Sequence, residues 1–212
     1  MELLAKQIVR VKDMFLKNEK YLLILFSLIF FFIHSDNVYS NLDNKTKISQ
    51  YLNSLTFFSA SFIQNDGENL SEGVFHIGEK RVRAEYSRPT KMLIILDKNK
   101  AMYYNYELEE DEFFDPKKTN AWFLYDLFRN PYFFYDALIR IKNNELILEK
   151  TGVDEEQNQF LMKIFFENNP LVLRKIEFLV NDNFLQLSIF NHSYNQEFDK
   201  NFFKLISPNL LN

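Results

Sequence analysis

Cysteine is absent from the 212 residues. That excludes disulfides, thiolate metal sites, a cysteine nucleophile and the lipid-bearing cysteine of a bacterial lipoprotein. Histidine occurs three times, at His34, His76 and His192, and no two of these stand at the spacing of a metal-binding pair. Only four glycines are present, none in a phosphate-binding loop, and no serine lies in a nucleophile elbow. Catalysis and cofactor binding therefore find little support, and neither is expected. Positive charge is also short, with 25 Lys and Arg against 29 Asp and Glu. A chain with that balance lacks the basic footprint of a nucleic-acid partner.

Long apolar runs are missing too. The longest, Tyr21 to Ile33, has 13 residues interrupted only by Tyr21 and Ser27. A spanning helix needs roughly 20 residues, whereas a signal-peptide core needs about 7–15. Lys17 and Lys20 precede the run, and Val38-Tyr39-Ser40 offers residues for a signal peptidase, so cleavage is expected after Ser40. Residues 1–40 are read as an N-terminal extension and cleaved signal, with Met14 a candidate true start, and residues 41–212 as one exported domain.

Rings are abundant: 24 Phe and 11 Tyr. Nucleotide bias in the source genome is one origin of such a composition, and the covering of a large apolar interior is the other. Ile48, Tyr51, Leu52 and Leu55 fall at helical spacing in a helix predicted over Asp43 to Leu55, capped by Asp43 or Asn44. Alternation then takes over. Phe58, Ala60 and Phe62 share one strand face, and Asn65-Asp66-Gly67 predicts a hairpin into Leu70 to Ile77. Val82, Ala84 and Tyr86 oppose Arg83 and Glu85, Pro89 breaks the run, and Met92 to Leu96 follows as an apolar strand. Met102, Tyr104 and Tyr106 alternate, and the acidic stretch Glu107 to Glu112 leads to Phe113-Phe114.

Ala121, Leu124, Tyr125 and Phe128 are helically spaced behind a cap at Thr119 or Asn120, and a second helical piece is predicted over Tyr132 to Leu138. This insertion is either an ordinary core helix or a lid across the mouth of a sheet. Four more strands follow, at Leu146 to Glu149, Gln159 to Phe166, Leu171 to Val180 and Phe184 to Asn191, with Phe198 to Ile206 a weak final segment.

In this order the chain resembles the LolA family, the periplasmic carriers of outer-membrane lipoproteins. The resemblance runs through Ala60-Ser61-Phe62-Ile63-Gln64, Ser71-Glu72-Gly73-Val74-Phe75, Arg83-Ala84-Glu85-Tyr86, Pro89, the strand ending at Asp97, and Leu205-Ile206-Ser207-Pro208. It implies a mainly β fold with a few helices: an open, incomplete antiparallel β-barrel whose strongly bent sheet is covered by short lid helices. It also implies an acyl-chain cavity and lid built from Phe62, Phe75, Ile77, Val82, Tyr86, Met92, Ile94, Leu96, Trp122 and Phe128. The family's Arg-Pro is replaced here by Glu79-Lys80-Arg81, which leaves Arg81 or Arg83 as candidates for the arginine that latches the lid.

The implied partners are lipoproteins, an inner-membrane lipoprotein-releasing ABC transporter, and an outer-membrane acceptor or the outer membrane itself. The implied state is a periplasmic monomer. An alternative is a periplasmic sensor of lipid or lipoprotein acting on a membrane-bound signalling partner. Such regulators usually carry a second domain after the sheet, and none follows before Asn212.

Overall fold

The computed structural model describes the backbone of residues 36–130 and 132–210, and side chains from residue 42 on. The apolar run Tyr21 to Ile33 and Met14 lie outside the described residues. A helix, α1 (Asp36–Ser54), is followed by β1 (Phe58–Asn65), β2 (Leu70–Ile77), β3 (Val82–Arg88), β4 (Met92–Leu96), β5 (Ala101–Asn105) and β6 (Glu110–Phe114). A 3₁₀ turn at Pro116–Lys118 and α2 (Trp122–Arg129) come next, then β7 (Leu138–Lys142), β8 (Glu145–Val153), β9 (Gln159–Glu167), β10 (Val172–Val180) and β11 (Asn183–Ser193). The compact unit begins at Lys45, within α1.

All eleven strands form one antiparallel sheet in the order β6-β5-β4-β3-β2-β1-β11-β10-β9-β8-β7. Two meanders, β1 to β6 and β7 to β11, meet where the first and last strands pair, with Phe62 opposite Ile189 and Gln64 opposite Leu187. Register shifts at Ser59/Ser61, Glu72/Gly73 and Leu173/Lys175 bend the sheet, because a bulged strand turns and twists more than its partner. The sheet stays open: β6 and β7 are its two edges. The expected open, bent antiparallel sheet with few helices is the fold observed.

Three elements depart from the sequence expectation. α1 starts at Asp36, so Asp43 and Asn44 lie inside it rather than at its cap. No glycine or proline between Asp36 and Leu42 stops the helix earlier. Residues 132–137 are turns instead of a second helix. Their hydrogen bonds span three residues, from Phe133 N–H to Asn130 O, Tyr135 N–H to Tyr132 O and Ala137 N–H to Phe134 O. Leu138 then opens β7, a five-residue strand too short for its alternation to stand apart from the aromatic turns before it. Residues 198–206 form turns and irregular backbone.

The bend gives the sheet an inner and an outer face. Ile48 and Leu52 of α1, and Leu55 just after it, enter the main core with Phe58, Phe62, Phe75, Ile77, Val82, Leu146, Ile164 and Ile176. Tyr51 fixes α1 by accepting from Leu173 N–H at 3.1 Å, and Lys47 donates to Asn168 Oδ1 at 2.9 Å. A smaller core on the outer face holds Leu93, Ile95, Met102 and Tyr104 beneath Leu205. β4 is thus buried on both sides, which explains its unbroken apolar run.

Glycines serve here as seats for phenylalanine rings. Phe62 stands opposite Gly73 and Phe160 opposite Gly152. A Cβ on Gly73 would meet the Glu85 carbonyl oxygen and come within 2.6 Å of the Phe62 ring, and one on Gly152 would lie 2.7 Å from the Phe160 ring. Gly73→Ala is expected to lower stability by about 1–3 kcal/mol, the usual penalty of overpacking. Chemical denaturation checks this, and an unchanged midpoint would contradict the seating.

His76 and His192 are both held below their ordinary pKa of 6.5, chiefly because burial disfavours the imidazolium. The folded protein therefore binds fewer protons than the unfolded chain near that pH. Stability falls as pH drops from about 7.5 through 6.5 toward the folded pKa values. Melting temperatures at pH 7.5 and 5.5 are expected to converge in the His76→Gln, His192→Gln double variant relative to the native protein.

Candidate functional site

The connection from edge β6 to edge β7 runs across the concave face, and α2 is its centre. Ala121 occupies the helix N-cap without a side-chain bond. Thr119 instead accepts from Ala121 N–H at 3.3 Å and donates to Pro116 O at 3.0 Å, so it shapes the entry to α2 rather than capping it. On α2, Phe123, Leu127 and Phe128 are buried. Phe123 stacks on Phe178 at 4.5 Å between ring centroids, and Phe128 stacks on Phe75 at 5.8 Å.

Beneath α2 lies a small, partly open cavity lined by Phe62, Phe75, Val82, Ala84, Tyr86, Leu124, Phe128, Ile176, Leu187 and Ile189. Its volume is about 20 Å³, room for about one water molecule. The lining is apolar apart from the Tyr86 hydroxyl, which donates to Gln64 Oε1 at 2.8 Å. Burial pushes the Tyr86 pKa up to about 12, so the phenol stays neutral. Ala84, Tyr86, Leu124 and Leu187 also line an open groove of about 800 Å³ at the mouth, whose walls include Ile94, Leu96 and Phe184. Leu124 therefore stands between the wide groove and a nearly filled interior, and Phe128 lines only the interior.

Five of the residues expected in the cavity, Phe62, Phe75, Val82, Tyr86 and Phe128, line it. Ile94 and Leu96 are found in the mouth groove. Ile77 is fully buried in the core. Met92 is half-buried, with its sulfur accepting from the Tyr103 hydroxyl at 3.3 Å. Trp122 packs edge-on against Phe160 at 5.1 Å and lines a separate lateral cleft with Lys98, Tyr125 and Asp126. Leu187 and Ile189 are legible as a strand face, but their place beside Phe62 depends on a pairing between opposite ends of the chain. Phe123 and Leu127 widen the apolar stripe of α2 beyond the positions singled out by spacing.

The two candidate latch arginines lie elsewhere. Arg81 donates to Asp97 Oδ2 at 2.7 Å and to Phe203 O at 2.9 Å. Arg83 donates to Glu85 Oε1 and to Phe202 O, both at 2.6 Å, with its guanidinium over the Phe202 ring. Alternation along β3 puts Arg83 on the outer face, so both arginines strap the C-terminal segment to the back of the sheet. Among the described residues, the ties on the lid segment are different ones. Lys117 pairs with Glu155 at 3.2 Å, and Lys150 with Asp136 at 2.5 Å. Arg129 donates to Leu55 O at 3.3 Å from the end of α2.

Arg129 is unusual in its surroundings. Its Nε is buried without a hydrogen-bond partner, and burial lowers its pKa. Arg129→Met would remove a poorly solvated charge and orphan one carbonyl. Replacing charge by a fitting apolar side chain is often stabilising, and the guanidinium keeps part of its hydration. The expected gain is therefore small, about 1 kcal/mol, read as a higher melting temperature. A clear loss of stability would show that the Leu55 contact outweighs the desolvation.

No protein-family profile and no curated protein matches the chain. Among solved structures, MucB in complex with MucA(peri) aligns at 7% identity with a TM-score of 0.44, over 76% of this chain and 58% of that one. An uncharacterized conserved protein from Thermus thermophilus aligns at 9% identity with a TM-score of 0.51, over 79% of this chain and 95% of that one. At that identity, the likeness to the Thermus protein is one of fold.

Proposed function

We propose that the protein is a periplasmic carrier of the LolA type, which binds the acyl chains of lipoproteins and hands them on without catalysing a reaction. The observation that supports this most is the apolar interior, nearly filled by Leu124 and Phe128 of a helix that bridges the two sheet edges. Each buried methylene is worth about 0.8 kcal/mol, so an acyl chain of roughly a dozen methylenes represents on the order of 10 kcal/mol. A carrier must offset most of that penalty and still release the chain.

A filled cavity meets both requirements. Without cargo, the lid side chains occupy the space and no empty apolar volume is exposed. With cargo, α2 moves out and the chain replaces the rings and leucines, apolar surface for apolar surface. Affinity is then the difference between two packings rather than the full transfer energy, and release needs only a better apolar acceptor. The proposed partners are an inner-membrane ABC transporter that releases lipoproteins and, on the far side, an outer-membrane acceptor or the membrane itself.

A photo-crosslinkable residue at Ile94, on the mouth groove, is expected to capture lipoproteins in cells. Captured species are identified by mass spectrometry. A folded, exported protein that yields no lipoprotein adduct at this position would sink the carrier reading, and co-purification with an inner-membrane signalling protein instead would favour a regulator.

A further inference from the structure

The two free edges of the sheet are built differently. β6 is guarded by Glu110, Asp111 and Glu112, all exposed, and acidic side chains on an edge discourage further pairing. That edge and the turn before it also expose Phe113 at 43% and Leu108 at 65%, but among those acids, whereas β7 and the turns before it expose more large apolar groups among fewer acids. Tyr132 is 80% exposed, Tyr135 85%, Leu138 61% and Ile141 54%.

These side chains are held outward by local structure. Phe133 is buried between them at 5% exposure, edge-on to Trp122 with ring centroids 6.0 Å apart. Three-residue hydrogen bonds close the turn, and Lys45 donates to Tyr135 O at 3.1 Å. The anchored ring turns inward, and the two tyrosines face solvent.

The charges interleaved with them are mostly basic. From 132 to 142 the ionisable groups other than tyrosine are Asp136, Arg140 and Lys142. Asp136 is neutralised by Lys150. Arg140 lies 3.6 Å from Glu149 but stays 64% exposed, too loose a pair to cancel its field. Glu145 faces Lys142 across the hairpin. Lys45 adds a further cation beside Tyr135. Lys45, Arg140, Lys142 and Lys150 against Asp136, Glu145 and Glu149 leave one positive charge here, in a chain of net charge −4.

We propose that this corner, Tyr132, Tyr135 and Leu138 with Arg140 and Lys142, is a docking surface for an anionic lipid bilayer. Leu138, Arg140 and Lys142 share the β7 face opposite Ile139 and Ile141. Tyrosine has an apolar ring and a polar tip suited to the headgroup level, and a short aliphatic group reaches just below it. Arginine and lysine bury their stems and leave their charges among lipid phosphates. The acidic β6 edge and the acidic β1–β2 turn, with Asp66 and Glu68, are repelled by the same surface, so charge also selects the orientation. Docking here would place the bilayer against the segment through which the chain leaves the lid.

Flotation of the full exported protein with phosphatidylcholine vesicles, with and without about 30% phosphatidylglycerol, tests the proposal. Binding is expected to the anionic vesicles, weaker by several fold in roughly 0.5 M salt. It should fall about tenfold in the Tyr132→Ser, Tyr135→Ser double variant, and by several fold in Arg140→Glu, Lys142→Glu. All these positions are exposed, and melting curves confirm that the variants fold.

The absence of cysteine permits a clean orientation test. An environment-sensitive dye at Leu138→Cys should blue-shift on anionic vesicles, and the same dye at Glu112→Cys should not. Equal flotation of native protein and the tyrosine variant, or no flotation at all, overturns the proposal. So does a concentration-dependent self-association that the same variants abolish without any vesicle binding, since that outcome makes the corner a protein interface. None of these readouts involves cargo, so a failure here leaves the carrier reading untouched, and failure of lipoprotein capture leaves this one standing.

Discussion

The pairing of β1 with β11 is the constraint on which everything else depends. Every other strand pair joins neighbours in sequence through a hairpin, but this one joins strands at opposite ends of the sheet-forming sequence. Without it, the chain is two separate meanders, each with one apolar face and too little to bury it against. With it, Phe62 meets Leu187 and Ile189 on one wall, and the apolar faces of both meanders turn toward a shared interior. Pairing of such low sequence proximity is entropically demanding and is expected to form late in folding.

The shared interior is then closed from above by two helices with distinct tasks. α1 is fixed to β10 and to the β9–β10 turn by Tyr51 and Lys47, and its stripe is permanent core. α2 is attached more lightly. Its segment is held by two ion pairs that each keep an exposed partner, by the bond from Lys45 to Tyr135 O, and by one guanidinium that sits in a poorly solvated place. Surface ion pairs contribute little, and an under-solvated cation opposes closure. Packing of the buried Phe123, Leu127 and Phe128 supplies most of what keeps the helix down.

Much of this is legible in the sequence because strands betray themselves by alternation. Phe58, Ala60 and Phe62, or Leu185, Leu187 and Ile189, announce a buried face from residue order alone. Such patterns do not say which faces meet, so half of the cavity wall is invisible in them. β7 escapes a reading by periodicity because five residues next to aromatic turns mimic helical spacing. Arg81 and Arg83 escape correct placement for a related reason. The parity of β3 puts Arg83 on the outside, but the partner of both arginines is a distant aperiodic segment around Phe202 and Phe203, which leaves no local trace. The buried, partly unsatisfied setting of Arg129 is equally hidden, since a basic residue at a helix C-terminus is normally read as a dipole partner.

The path of the backbone between the two sheet edges has a mechanical consequence. β6 ends at Phe114 and β7 begins at Leu138, and residues 115–137 span the gap between them. The covering segment is therefore also a strap of fixed contour length fastened to both jaws. Spreading the jaws draws the strap taut, and lifting the strap lets them part. Gape of the sheet and height of the lid become one coordinate, so whatever pulls on one margin of this half-barrel is felt at once by the helix that plugs it.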